Sequence, residues 1–249
     1  MTAIKNILFD LGNTLLYFDG HWPDIFAQAD QQLFSALKNA GLALEEEAFK
    51  TEFRKRLNDY FAERESEFIE HTTAFVLRRL LANYGYEDPP QEVIAKALKE
   101  MYRASQTYWI PEDDCLPTLQ ALNSMEYCLG VVSNASDDSD VQTLVDNAGI
   151  RPHIDFALSS ASCGIRKPNP RIFEIALENW ADANPANTVM VGDTLGADIL
   201  GARNANIYSV WITRRADSPG NQDHQDTISP DAKISTLAEL PQLVDQLNK

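Results

Sequence analysis

The chain has 249 residues, enough for one large α/β domain with a smaller one inserted into it. Its formal charge of −16, from 21 basic and 37 acidic residues, leaves no basic stripe to displace counterions from a nucleic acid, so that partner is excluded. No stretch approaches the ~20 apolar residues of a membrane span, the amino terminus lacks a signal-peptide layout, and Cys115, Cys128 and Cys163 show no disulfide or metal spacing, so a cytoplasmic protein without membrane association is expected.

In chain order, the first element is Lys5-Asn6-Ile7-Leu8-Phe9-Asp10, an apolar run too short for a buried helix that stops at an aspartate and a tight turn. The long stretch that follows is helical in pattern. Ile25, Ala29, Leu33 and Leu37 recur every fourth residue, as do Phe49, Phe53, Leu57 and Phe61. Two more helices are expected over 68–84, stopped by Gly85, and over 91–108 after Pro89-Pro90. The turn-prone Asp19 and Pro111 bound this unit, which predicts a helical domain at 19–111 inserted into a domain built from 1–18 and 112–249.

Beyond it the pattern alternates. A helix at 116–125 leads to a strand at 128–132 that ends in Ser133-Asn134, and a helix at 139–148 closes at Gly149. A strand at 155–159, a helix at 170–180 capped by Asn169, and a strand at 188–192 ending at Asp193 come next. A helix at 196–205, a strand at 207–212, a loop at 216–231 and a terminal helix at 237–247 complete the chain. Such alternation predicts an α/β fold: a Rossmann-like, doubly wound parallel sheet with a site at the carboxyl edge of its strands.

Four polar elements fall at those strand ends, and each has a chemical use. The Asp10 carboxylate can attack phosphorus, provided that the repulsion between two anions is first removed. Mg²⁺ would do this, held by the hard oxygens of Asp10, Asp193 and a backbone carbonyl. Ser133 and Thr14 would donate hydrogen bonds to the phosphoryl oxygens, and Lys167 would neutralise the charge that builds on them. Asp198, five residues after Asp193, would hold Lys167 or a metal-bound water.

In this order and spacing, Asp10, Ser133, Lys167 and the Asp193/Asp198 pair resemble the four motifs of the haloacid dehalogenase-like hydrolase superfamily. The resemblance implies a catalytic set of Asp10, Ser133 and Lys167, substrate contacts from Thr14 and Asn134, and a Mg²⁺ site formed by Asp10, Gly12, Asp193 and Asp198. It also implies that the inserted helices form a cap over the site. One position departs from the family pattern: most phosphatases of the superfamily carry an acid–base aspartate where this chain has Gly12. The main-chain carbonyl for the metal survives there, whereas proton transfer, worth about 10²- to 10⁴-fold in rate, does not. Asp19 and His21 are the nearest replacements by sequence, set against their reading as a plain turn. Asn13, in place of the usual glycine, suits a left-handed backbone.

The function implied is a Mg²⁺-dependent phosphatase for a small phosphorylated metabolite, working through an aspartyl-phosphate on Asp10. The alternatives are a 2-haloacid dehalogenase, or a non-catalytic phosphate-binding or regulatory protein that lost turnover with the aspartate. The cap phenylalanines read as core with one or two facing the cleft, Arg78-Arg79 and Arg214-Arg215 as surface arginines, and Trp22 and Trp109 as hinge packing.

Overall fold

Strand β1 (Asn6–Phe9) has no face to give to water: Ile7, Leu8 and Phe9 are all fully buried, Ile7 and Phe9 in one apolar cluster and Leu8 in another. A strand apolar on both sides must be covered by helices on both sides, which is the parallel-sheet solution. The structure, a computed structural model, describes residues 3–249, apart from the side chains of 64–67 and 219. After β1 come β2 (Leu16–Phe18), helices α1 (Trp22–Asn39), α2 (Glu46–Glu67), α3 (Thr73–Asn83) and α4 (Gln91–Gln106), and then β3 (Trp109–Pro111). The chain continues through α5 (Cys115–Ser124), β4 (Cys128–Ser133), α6 (Asp138–Asn147), β5 (Phe156–Ser159), α7 (Ser160–Cys163), α8 (Pro170–Leu177) and β6 (Thr188–Gly192). It ends with α9 (Leu200–Asn204), β7 (Tyr208–Ile212), α10 (Pro219–Gln222), β8 (Ala232–Ile234) and α11 (Leu240–Leu247).

Six strands pair in parallel in the order β5-β4-β1-β6-β7-β8. The cluster around Ile7 and Phe9 draws on α5, α6 and α11, and the one around Leu8 draws on α8 and α9, so helices cover both faces and the fold is doubly wound α/β. From β1 the chain winds outward through β4 and β5, then returns to β6 on the other side of β1 and winds the opposite way. The strand order reverses at β4-β1-β6, and a crevice opens at the carboxyl ends of strands at such a point. Among the described residues no helix is long and apolar enough to cross a membrane.

Helices α1 to α4 carry a core of their own, in which Leu33, Leu37, Phe49, Phe53, Leu77 and Leu80 are fully buried. The fourfold repeats of α1 and α2 supply this core, as their spacing predicts. Two attachments set the helical unit against the sheet. The first is an antiparallel ribbon, β2 with β3, that pairs Phe18 with Trp109 and Leu16 with Pro111 where the chain enters and leaves. These three-residue strands lie at the expected boundaries and are too short to show a period. Arg214 and Arg215 are not free at the surface: both pair with Glu112 just past β3, Arg214 also with Asp114, and Arg215 lies over the Tyr17 ring.

The second attachment is the segment before α3. A helix is expected from Phe68, but Phe68 takes a left-handed backbone, φ 54°, and Ile69 bridges antiparallel to Ile165: Glu70 N donates to Gly164 O at 3.0 Å and Arg166 N to Phe68 O at 3.0 Å, and the helix starts only after the Thr72 cap. Pairing with the core outbids local helix propensity here. Glu70 is buried at the junction, where its carboxylate accepts from Tyr60 Oη at 2.6 Å and from Ser160 Oγ at 2.6 Å and pairs with Arg166. Glu70→Ala leaves the Arg166 charge buried without a counterion and is expected to cost about 3–5 kcal/mol in urea unfolding; a loss below ~1 kcal/mol would show that this junction does not tie the two units together.

Candidate active site

Three neighbouring strands deliver the site. Asp10 follows β1, Ser133 ends β4 and Asp193 follows β6, so the parallel register at the reversal of strand order brings them to one edge. Lys167 arrives from the loop before α8. Its Nζ donates to Asp10 Oδ1 at 2.6 Å and to the Val132 carbonyl at 2.7 Å, and lies 2.7 Å from Asp198 Oδ1. Asp10, Ser133, Lys167, Asp193 and Asp198 are all buried and all line one cavity of about 860 Å³.

Local chemistry explains each placement. Asn13 takes a left-handed backbone, φ 60°, in the turn after Asp10, as the asparagine there suggests. Asn134 lines the cavity, but its amide is spent on the backbone of Lys167: Nδ2 donates to Lys167 O at 2.9 Å and Oδ1 accepts from Lys167 N at 2.8 Å. It thereby aims the lysine. Between Thr194 and α9 the chain makes a π-helical turn, Leu195–Ile199, that folds Asp198 back so that Oδ2 accepts from Thr194 N at 2.9 Å. Only a glycine allows this, since a Cβ on Gly192 would lie 2.3 Å from the Asp198 carboxylate.

Two residues outside the motifs hold Asp193. Its carbonyl accepts from Trp211 Nε1 at 2.8 Å and from Nδ2 of the fully buried Asn221 at 2.8 Å, and Asn221 Oδ1 takes Leu195 N at 2.7 Å. Asn221 sits in α10 within the segment expected to be plain loop, and its polar, turn-rich surroundings give no sign of this role. Thr14 is not brought to the cavity: it is fully buried, absent from the cavity lining, and its Oγ1 has no hydrogen-bond partner. Asp19 and His21 are both exposed, His21 pairs with Asp24, and neither lines the cavity, so the plain-turn reading of these two stands.

The charge balance is uneven. Burial pushes the Asp10 carboxyl up to about 6, with Asp198 adding to the rise and Lys167 opposing it. Burial also pushes Asp193 up to about 8, reinforced by the charges of Asp10 and Asp198. Burial alone would depress the Lys167 ammonium, yet Asp10 and Asp198 outweigh it and hold its pKa above the ordinary value. One ammonium thus serves three carboxylates whose oxygens lie within 4.8 Å of one another. Asp198 Oδ1 is buried and, despite the nearby lysine, has no aligned hydrogen-bond donor. A cluster of hard oxygens short of positive charge fits a small divalent cation such as Mg²⁺.

The sequence model of the haloacid dehalogenase-like hydrolase family matches residues 4–206. The chain belongs to this family. It is a hydrolase of the haloacid dehalogenase-like type, and its relatives act on different compounds. It is 30% identical, over 99% of both chains, to a glyceraldehyde 3-phosphate phosphatase of Methanopyrus kandleri. It is 25% identical to the pyrimidine 5′-nucleotidase YjjG of Escherichia coli, over 90% of this chain and 98% of the relative. Among solved structures, the 2-haloacid dehalogenase of Pseudomonas syringae pv. Tomato DC3000 superposes with a TM-score of 0.67 at 26% identity, covering 98% of this chain and 99% of that one.

The rest of the hydrolase's cavity comes mainly from the helical unit and its hinge. Trp22, Phe26, Phe61, Phe68 and Trp109 line it, whereas Phe49 and Phe53 are core. Trp22 stacks on Phe18 with ring centroids 3.7 Å apart and meets Trp109 edge-on at 6.3 Å. The other ionisable groups of the lining include Asp140 and His224, which carry no motif. Asp140 accepts from Gln106 Nε2 of α4 at 2.9 Å, and burial, with Asp137 adding, pushes its carboxyl up to about 7.

Because its folded pKa lies above the unfolded value of about 3.9, Asp140 contributes stability that is full below pH ~4 and lost as pH rises toward 7. The stability of Asp140→Asn relative to wild type is therefore expected to grow over that interval and to level off above it. Urea midpoints of both proteins at pH 5, 6, 7 and 8 give the comparison, and a constant difference would show that this carboxyl titrates normally.

Proposed function

We propose that the protein is a Mg²⁺-dependent phosphatase of small phosphate monoesters, acting through an aspartyl-phosphate on Asp10. The observation that carries this reading is the Asp10–Lys167–Asp198 chain beside Asp193 at the point where the strand order reverses. Lys167 occupies Asp10 Oδ1, which leaves the other carboxylate oxygen for attack on phosphorus. As the new O–P bond forms, the bond from phosphorus to the leaving oxygen breaks, and a water later attacks the same phosphorus to regenerate the carboxylate. Ser133 is the nearby hydroxyl donor for the phosphoryl oxygens, and Lys167 meets the charge that builds there. Asp10, Asp193 and the Gly12 carbonyl would hold Mg²⁺, with Asp198 keyed to Lys167. When bound, the cation offsets the repulsion between carboxylate and phosphate. Residues 19–111 act as the cap, closing over the substrate and excluding bulk water.

The cavity has the size of a small-molecule site, and the names of the relatives, two of them phosphatase or nucleotidase, support a phosphorylated metabolite. A cytoplasmic setting fits such a substrate. The likeness to the 2-haloacid dehalogenase of Pseudomonas syringae favours a second reading, attack by Asp10 on the carbon of a 2-haloacid.

Inorganic phosphate release from a panel of phosphorylated metabolites, with and without Mg²⁺, decides between them. Turnover is expected only with Mg²⁺, is abolished by Asp10→Asn, and falls about 10²- to 10³-fold in Lys167→Met. Halide release from 2-haloacids without metal would install the second reading, and Mg²⁺ binding with no release of either kind would mark a non-catalytic protein.

A further inference from the structure

Among its described residues, the cavity is short of two things that many phosphate esters call on. The first is an acid for the leaving group. Around Asp10, Lys167 is committed to Asp10, Val132 O and Asp198, and Asp193 and Asp198 belong to the oxygen cluster. Gly12 has no side chain, and the Trp109 ring stands 3.3 Å from where one would start. Asp140 and His224 also line the cavity, but no hydrogen bond or ion pair joins either to Asp10, Lys167 or Asp193: Asp140 accepts from Gln106 of the cap, and the His224 ring packs against Gly196. The second is a free cation for another anionic group. The lysine and arginines of the described lining are Lys167, Arg54 and Arg166, and each is paired with a carboxylate, Arg54 with Asp30 at 2.5 Å and Arg166 with Glu70.

What the cavity offers instead is an aromatic wall. Trp22 and Phe26 stack with centroids 5.1 Å apart, Trp109 meets Trp22 edge-on, and the Arg54 guanidinium lies over the Phe26 ring at 4.4 Å. Such a wall suits a planar, uncharged, apolar body.

We propose, resting on the phosphatase reading above, that the substrates of this site are aryl phosphates, monoesters of phenols whose ring packs against Trp22, Phe26 and Trp109 and whose oxygen departs unprotonated beside Gly12. A phenol has a pKa near 10, against about 15.7 for water and a similar value for alkyl alcohols, so a phenolate leaves without help where an alkoxide does not. The balance is simple. The Asp10 carboxylate oxygen bonds to phosphorus, the phosphorus–phenol oxygen bond breaks with its electron pair on oxygen, and the phenolate takes a proton from water outside the cavity. Water then hydrolyses the aspartyl-phosphate, giving one phenol and one inorganic phosphate per ester and water consumed.

Phenyl phosphate and benzyl phosphate separate the two halves of the proposal, because both carry the ring and only the first has a phenolic oxygen. kcat/KM, which reports steps up to phosphoryl transfer to Asp10, is measured with Mg²⁺ for these two, for substituted phenyl phosphates, for glycerol phosphate and for acetyl phosphate. The expected result is a preference for phenyl over benzyl phosphate of about 10²- to 10⁴-fold, the full contribution of a missing acid, and a steady fall across the phenyl series as the phenol pKa rises. Trp22→Ala and Phe26→Ala are each expected to raise KM for phenyl phosphate several-fold and leave KM for acetyl phosphate, which has no ring, in place. Equal rates for phenyl, benzyl and glycerol phosphates would overturn the proposal, leave the phosphatase reading standing, and point to Asp140 or His224 as the acid. Phosphate release from none of these esters, acetyl phosphate included, would overturn the phosphatase reading itself and this proposal with it.

Discussion

A buried ammonium shared among three buried carboxylates is the constraint around which the rest of the hydrolase is arranged. Lys167 Nζ lies within 2.7 Å of both Asp10 and Asp198, and Asp193 joins the same cluster. Taking such charges out of water costs several kcal/mol per ion, and only good geometry recovers it. That requirement accounts for several residues that do no chemistry. Asn134 clasps the Lys167 backbone on both sides, Gly192 leaves the room into which Asp198 folds, and Trp211 and Asn221 hold the Asp193 carbonyl. Even so the negative charge is not matched, and the raised pKa values of Asp10 and Asp193 express that imbalance. It is an imbalance that a divalent cation would offset.

The helical unit is coupled to the same charges. The Glu70 network joins α2 and the segment before α3 to Arg166, the residue next to Lys167, and Glu112 anchors the β2–β3 ribbon to Arg214 and Arg215. The two attachments fix where Trp22, Phe26 and Trp109 stand relative to Asp10. The cavity accordingly has a polar floor from the sheet edge and an apolar wall from the inserted helices, so its two kinds of surface are supplied by different parts of the chain.

Much of this was legible beforehand. Strands that end in Asp10, Ser133 and Asp193 announce a parallel sheet with its chemistry at one edge, and the fourfold apolar repeats of α1 and α2 announce a separate helical core. The elements missed are those whose formation is not local. The three-residue strands β2, β3 and β8 have no period to detect. Phe68–Glu70 gives up helix to pair with Gly164–Arg166, and Leu195–Ile199 widens into a π-turn to place Asp198. Asp19 and His21 are near Asp10 in sequence, yet they follow the hinge strand β2 and stand exposed, outside the cavity lining.

Fold class and the order of the motifs can be read from the residues alone, because strand endings and apolar periods are local properties. Which of those residues meet is settled by packing between distant segments. That packing made Asn134 the clasp of the Lys167 backbone, kept Thr14 out of the cavity lining, recruited Asn221 from a loop, and set the Trp109 ring where a side chain at position 12 would begin. Such outcomes depend on how segments far apart in the chain pack against one another, and no local pattern encodes that distance.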